Sequence, residues 1–301
     1  MKFAGMGFLT RYFSKALLGR VAIFGSTFCF YSSTVIVRWV KTEGLALSSE
    51  FLVFGRFLLG FLIMAGIFLL RRERPRPRQH RFLLGRAIGN ILAVFCLYKA
   101  VELTTVAQGN ILNMTYPVFI AIFSWFLWRT QRNALTFAMT FVAFGGIVLV
   151  LLPGELRFDW NSLWGLASGI TAAFAILFLK FAREENDTET ILLVMFGVGT
   201  IILLLGFYHH FHLPNGKEFL YLLSVGSLGV AGQYLLTLGY RYVTAAEGGI
   251  ISSFIIFLAA ILGPVLTSDP ALTLWGWIGA IIIFGTDLYF IVRKSVPAQN
   301  R

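Results

Sequence analysis

Residues 98–128 read YKAVELTTVAQGNILNMTYPVFIAIFSWFLW. The stretch is the end of one apolar helix, a tight polar turn at Glu102-Leu-Thr-Thr105, and a second apolar helix. That second helix carries Asn110, Asn113, Thr115 and Tyr116-Pro117 in its middle. A weaker copy follows 139 residues later, where residues 236–263 read LTLGYRYVTAAEGGIISSFIIFLAAILG. Leu97–Ile111 and Leu236–Ile250 are identical at five of fifteen positions: Leu97/Leu236, Thr105/Thr244, Ala107/Ala246, Gly109/Gly248 and Ile111/Ile250. The two hairpins are equivalent parts of an internal duplication, and the rest of the chain is laid out around them.

Composition sets the solvent. The 301 residues are 57% hydrophobic and 13% charged, too few charges to cover a soluble protein of this size. Mean hydropathy is +0.79. Apolar stretches of about 18–25 residues recur from end to end, the length a helix needs to cross roughly 30 Å of hydrocarbon. Ten spans are expected, at 20–40, 48–70, 82–102, 105–128, 133–152, 161–182, 188–208, 218–240, 245–267 and 271–292. Turn and charge signals separate them, among them the basic run Arg71–Arg81, Pro153-Gly154, Pro214-Asn-Gly216 and Asp269-Pro270. The fold class is therefore all-α integral membrane. Residues 1–19 form a cytoplasmic N-terminal segment, 20–153 and 161–292 form two five-helix repeats, and 293–301 form a cytoplasmic tail. The first span lacks a small-residue cleavage site and is expected to be retained. Cys29 and Cys96 fall inside spans and serve as small core residues.

A net charge of +11 invites a nucleic-acid partner, but the charges lie where membrane insertion puts them. With both termini in the cytoplasm, the inner segments, Arg86 included, hold nineteen of the 25 Lys and Arg residues. The outer side has five (Arg38, Lys41, Lys99, Arg157 and Lys217), and Arg56 lies within the second span. This asymmetry fixes an even number of spans with the termini inside. Five spans per repeat is odd, so the second copy enters the membrane upside down. One aligned position shows the consequence: Glu102 at the outer joint of the first half matches Arg241 at the inner joint of the second. Inverted repeats of this kind house a substrate site near the midplane, with access alternating as one part rocks against another. The compact loops suit a bacterial inner membrane.

These pieces resemble the drug/metabolite transporter superfamily of the EamA type. The resemblance rests on Phe54-Gly-Arg56-Phe, Tyr98-Lys-Ala100 with Thr104–Ala107, Tyr116-Pro117-Val-Phe and Gly145-Gly146, then Gly232-Gln233 and Thr244-Ala245-Ala246 in the second half. It runs over roughly 20–292 and implies ten helices in two inverted repeats that export or exchange small organic solutes such as amino acids, nucleosides and their derivatives. Two departures stand out. The Gly-Glu-Arg usual after the fourth span is here Arg129-Thr-Gln-Arg132. The proline kept as Pro117 aligns with Ile256 in the second half, so no proline supplies a symmetric kink.

Candidate site residues are the polar groups that a membrane interior tolerates only with partners. Asn110, Asn113 and Tyr116 recur at three-residue steps and share a helix face. Asn113 aligns with Ser252, so both halves offer a hydrogen-bonding group near the midplane. With Gln233 and Asn90 they make the expected substrate contacts; the alternative is polar glue between helices. Arg56 is either a contact to a substrate carboxylate or phosphate, or a structural arginine bonded to carbonyls or snorkelling to headgroups. Glu247, aligned with Gln108, is a candidate for proton coupling or an interfacial carboxylate favoured by the start of its helix. Asp287 is expected to be structural, with Arg293 as the candidate partner; the alternative is a coupling role. His209, His210 and His212 lie among aromatics of an outer loop and read as headgroup-level residues rather than a metal site.

No HExxH or Walker loop occurs, and the only loop clusters of acid or base residues are the His trio and Glu184-Glu185-Asn-Asp187, so no enzyme chemistry, metal or cofactor is expected. The function expected is secondary transport of a small organic solute such as an amino acid, a nucleoside, or an S-adenosyl or amine-type compound, driven by a proton or counter-solute gradient. The alternatives are a membrane-embedded enzyme acting on a lipid-linked substrate and a non-transporting sensor. The expected partners are the solute and the bilayer, with no nucleic acid; a homodimer is compatible with the sequence.

Overall fold

The computed structural model describes residues 15–127, 134–151, 159–243 and 245–295, and these contain helices and no strands. The first repeat is α1 (Lys15–Thr42), α2 (Ser49–Arg71), α3 (His80–Leu103), α4 (Val106–Asn113), α5 (Tyr116–Leu127) and α6 (Ala134–Leu151). The second is α7 (Leu163–Ala182), α8 (Thr188–Phe207), α9 (Gly216–Gly239), α10 (Ala245–Ser252), α11 (Phe254–Thr267) and α12 (Leu274–Ser295). Among the described residues, seven segments are long and apolar enough to cross a membrane, and shorter apolar helices stand where the fifth, ninth and tenth spans are expected. Large apolar side chains such as Leu70, Leu205 and Val265 point outward, unpartnered by protein. Such a surface suits contact with lipid.

Helix ends follow local chemistry. Ser48 caps α2 by accepting from the Phe51 N–H, Thr105 caps α4 through Gln108, and Asp187 caps α8 through Thr190. Asn215 and Glu218 form a reciprocal capping box at the start of α9.

Packing repeats under exchange of the halves. The third span packs on the sixth (α3 on α7), and its counterpart is the eighth on the first (α9 on α1). Likewise α2 meets α9 while α8 meets α3. At the centre α2 and α8, themselves equivalents, pack on each other. The Phe57 and Phe196 rings meet edge-on at 5.6 Å between centroids. A Cβ on Gly60 would lie 2.7 Å from the Phe196 ring, and one on Gly199 would run into Phe57. The motif Phe-x-x-Gly thus fits into its own copy, ring into notch, twice. The glycine pairs Gly85/Gly89 and Gly165/Gly169 likewise bring α3 onto α7 and α7 onto α4: an added Cβ on Gly89 would lie 2.9 Å from the Ala175 nitrogen.

The fourth and ninth spans are both broken, at aligned positions. In the first, α4 stops at Asn113 and α5 restarts at Tyr116. Pro117 has no N–H for the Asn113 carbonyl, and Thr115 returns its hydroxyl to the Leu112 carbonyl at 2.7 Å. In the second, α10 stops at Ser252 and α11 restarts at Phe254. The missing proline there does not remove the kink that the sequence left unsupported. Ser253 turns its hydroxyl back to the Gly249 carbonyl at 2.8 Å, and the Ile256 N–H bonds to the Ser253 carbonyl three residues back, not four. Serine back-bonding competes with the helical ladder and takes over the proline's task.

Candidate functional site

The two breaks face a central cavity. All six residues expected to touch substrate line it: Arg56, Asn90, Asn113, Tyr116, Gln233 and Ser252. α2 carries Arg56, α3 Asn90 and α9 Gln233, while the broken spans bring Asn113, Tyr116 and Ser252. Asn110 also reaches the wall, its amide donating to the Thr34 hydroxyl at 3.0 Å and the Val106 carbonyl at 2.8 Å. Asn113 donates to the Ser168 hydroxyl. Tyr116, Tyr240 and Ser252 gather their hydroxyls at the same wall. Glu247 is on α10, and its side chain lies outside the described residues.

Arg56 is buried and does not snorkel. It lies against Gly229, where a Cβ would come within 2.6 Å of its Cδ and Nε. Its Nη1 donates to the Tyr98 hydroxyl at 3.1 Å, Tyr98 shares a bond of 2.8 Å with Ser33, and Ser33 donates to the Val225 carbonyl at 3.3 Å. The guanidinium also stands 5.4 Å from the Phe30 ring centroid. This relay fixes the Arg56 side chain at the wall and leaves its Nε without a partner.

Arg86 is the residue that the charge count misplaces. The count puts it among the inner charges, yet it lines the cavity and is fully buried. It sits six residues into α3, about 9 Å along the helix, deep enough to leave the interface. A signal was present: Arg86 falls at helical spacing from Asn90, one turn away on the same face.

Asp287 is fully buried on α12, and neither carboxylate oxygen has a hydrogen-bond partner among the described residues. Its expected partner Arg293 has its side chain outside the described residues. The His loop folds back on α2: Phe211 stacks on Phe54 and Phe51 at 4.6 and 5.1 Å, and His212 meets Glu218 at 3.2 Å. No group of His, Cys, Asp or Glu among the described residues is placed to hold a metal.

The cavity is offset toward one face. Its lining ends at Phe30 in α1 and Leu97 in α3, and runs from there toward Arg86 and Tyr240 at the face where α1 begins. The opposite face is shut. Arg38 donates Nε and Nη2 to Asp269 at 2.7 Å, and its Nη1 reaches the Val101 and Glu102 carbonyls. The other Asp269 oxygen accepts the Val106 N–H at 3.0 Å, which caps α4. One carboxylate thereby ties α1 and α4 of the first half to the α11–α12 loop of the second. Beside it, the Trp39 ring nitrogen donates to the Leu266 carbonyl at 2.7 Å.

A multi-pass helical protein with inverted halves, a polar midplane cavity and one closed face has the architecture of a membrane transporter. The family model for the EamA-like transporter family matches twice, at residues 17–152 and 159–291, and the chain belongs to that family. It is similar to the pseudopaline exporter CntI of Pseudomonas aeruginosa, at 23% identity over 82% of this chain and 84% of that one. An uncharacterized transporter of Archaeoglobus fulgidus is 27% identical over 88% of this chain and 93% of the other. Solute carrier family 35 member G1 of Mus musculus is 23% identical over 74% of this chain and 64% of its own length. A solved crystal structure shares the fold, with a TM-score of 0.56 at 19% identity over 94% of this chain and 99% of that one.

Proposed function

We propose that the protein is a secondary transporter that moves a small organic solute through the central cavity by alternating access between the inverted halves. The observation that carries this is the convergence of Asn113, Tyr116 and Ser252, from two broken spans of opposite halves, on one cavity closed at one face. Broken helices expose backbone and side-chain polarity at mid-membrane only where a cavity uses it. The exporter name of one relative supports outward movement or exchange, and a proton or counter-solute gradient supplies the drive. With Arg86 removed to the cavity, eighteen inner against five outer basic residues support cytoplasmic termini, and the short loops support a bacterial inner membrane.

Flux in proteoliposomes tests this. The wild-type protein should show saturable, inhibitable uptake of the right solute from a panel of amino acids, nucleosides and amine compounds. The joint change Asn113→Ala with Ser252→Ala should cut that flux about ten-fold or more, the cost of two hydrogen bonds of about 1 kcal/mol each. Unchanged flux in the double variant removes both residues from the site.

A further inference from the structure

We infer that Arg56 and Arg86 together dock an anionic group, a carboxylate or a phosphate, carried by the transported solute; this rests on the transport function proposed above. Both guanidinium groups line the cavity and both are buried. No Asp or Glu is among the cavity's described lining residues. Buried arginine is strongly unfavourable in a membrane interior unless something of opposite charge or several acceptors meet it.

The unmet atoms define the missing partner. Arg86 has neither Nε nor Nη2 engaged, and Arg56 lacks a partner at Nε. Nε and Nη2 are the two parallel donors of the guanidinium's side edge, the edge that takes a carboxylate or phosphate in bidentate fashion. Arg38, in the same protein, shows the satisfied state: its Nε and Nη2 both meet Asp269 and its Nη1 meets two carbonyls. Arg183 adds positive charge nearby; its Nη1 and Nη2 donate to the Tyr240 and Thr237 carbonyls at 2.6 and 3.4 Å, and only its Nε is unmet, so its paired edge is not open as that of Arg86 is. A protein that completes one arginine and leaves a buried one open at its binding edge, inside its cavity, has left that edge for a ligand.

Further open atoms describe the rest of the solute. The amides of Asn90 and Gln233 each keep one atom without a partner at the same wall. Phe30, Leu97 and Ile176 supply apolar surface. The solute is therefore an anion with further hydrogen-bonding groups and a modest apolar part.

The test uses the purified full chain in neutral detergent, with thermal unfolding read against matched pairs: glutamate and glutamine, uridine monophosphate and uridine, glycerol phosphate and glycerol. Phosphatidylglycerol is a separate arm, because its headgroup carries the same phosphate. At least one soluble anion should stabilise the protein where its neutral mate does not. Arg86→Gln should raise that anion's half-saturating concentration about ten-fold or more. Arg86→Lys, a point charge without the fork, should recover part of the loss. Should Arg86→Gln fail to fold, Arg56→Gln carries the same expectation. The inference is overturned if no soluble anion stabilises the wild-type protein, if neutral mates act equally, if the glutamine variants titrate like wild type, or if phosphatidylglycerol alone responds. Flux separates the two claims. Transport of a neutral solute without anion preference rejects the anion site and keeps the transporter. Anion binding without flux of any solute does the reverse.

Discussion

Gly169→Val should abolish transport and lower thermal stability sharply. A Cβ at this position would lie 2.8 Å from the Leu112 carbonyl oxygen and 3.2 Å from that of Asn113, and would strike the Thr115 hydroxyl. These are the carbonyls of the break between α4 and α5, where Pro117 withholds its N–H. Glycine lets α7 press against that exposed backbone, and a backbone cannot swing aside as a side chain can. Overpacking of this kind costs about 3 kcal/mol. The displaced segment carries Asn113, Met114 and Tyr116, all on the cavity wall, so flux should fall further than stability alone predicts. Detergent melting curves and proteoliposome flux, measured on the same preparation, check both parts. A variant with wild-type flux would show that the break does not position the site.

Asp269→Ala should release the closed face. The change removes the only carboxylate bridging α1, the start of α4 and the α11–α12 loop among the described residues, and leaves Nε and Nη2 of Arg38 and the Val106 N–H without their acceptor. Breaking a fully buried pair by removing one partner costs about 3–5 kcal/mol, and this one costs less because Arg38 is partly exposed and keeps two carbonyl acceptors. Here much of that cost falls on one conformation, the one closed opposite the termini, so the equilibrium between conformations shifts as well. A Leu97→Cys probe, in a background with Cys29→Ser and Cys96→Ser, should react faster with a membrane-impermeant thiol reagent from that face once Asp269 is removed. Equal labelling rates with and without the carboxylate would show that closure rests on something else.

The repeat, the helix boundaries and the six cavity residues were legible because each leaves a local mark: a fixed offset of 139 residues, apolar length, and polar residues in an apolar run. Facing direction was not legible. In a membrane the core and the lipid are both apolar, so a helix such as α9 shows hardly any amphipathic contrast to reveal its inner face. Arg86 was hidden for a related reason: close behind the Arg71–Arg81 run, it reads as one more topology charge. The break at Ser253 was hidden because proline is a loud signal and a serine hydroxyl a quiet one. Asp269 reads as a loop residue before Pro270, and only the tertiary fold delivers Arg38 to it.

The reciprocal fit of Phe57 into Gly199 and Phe196 into Gly60 bears on ancestry. A contact that is its own mirror under the pseudo-two-fold needs no covalent link between the halves. A single short polypeptide, inserted in both directions, would make it with an inverted twin, and gene fusion would then lock one twin in each direction. Fusion also ends the obligation of the twins to stay alike. Arg56 and its counterpart Met195 differ in this way: with identical halves an arginine here would enter the core twice, whereas in one joined chain one half carries the cation and the other an apolar packing residue.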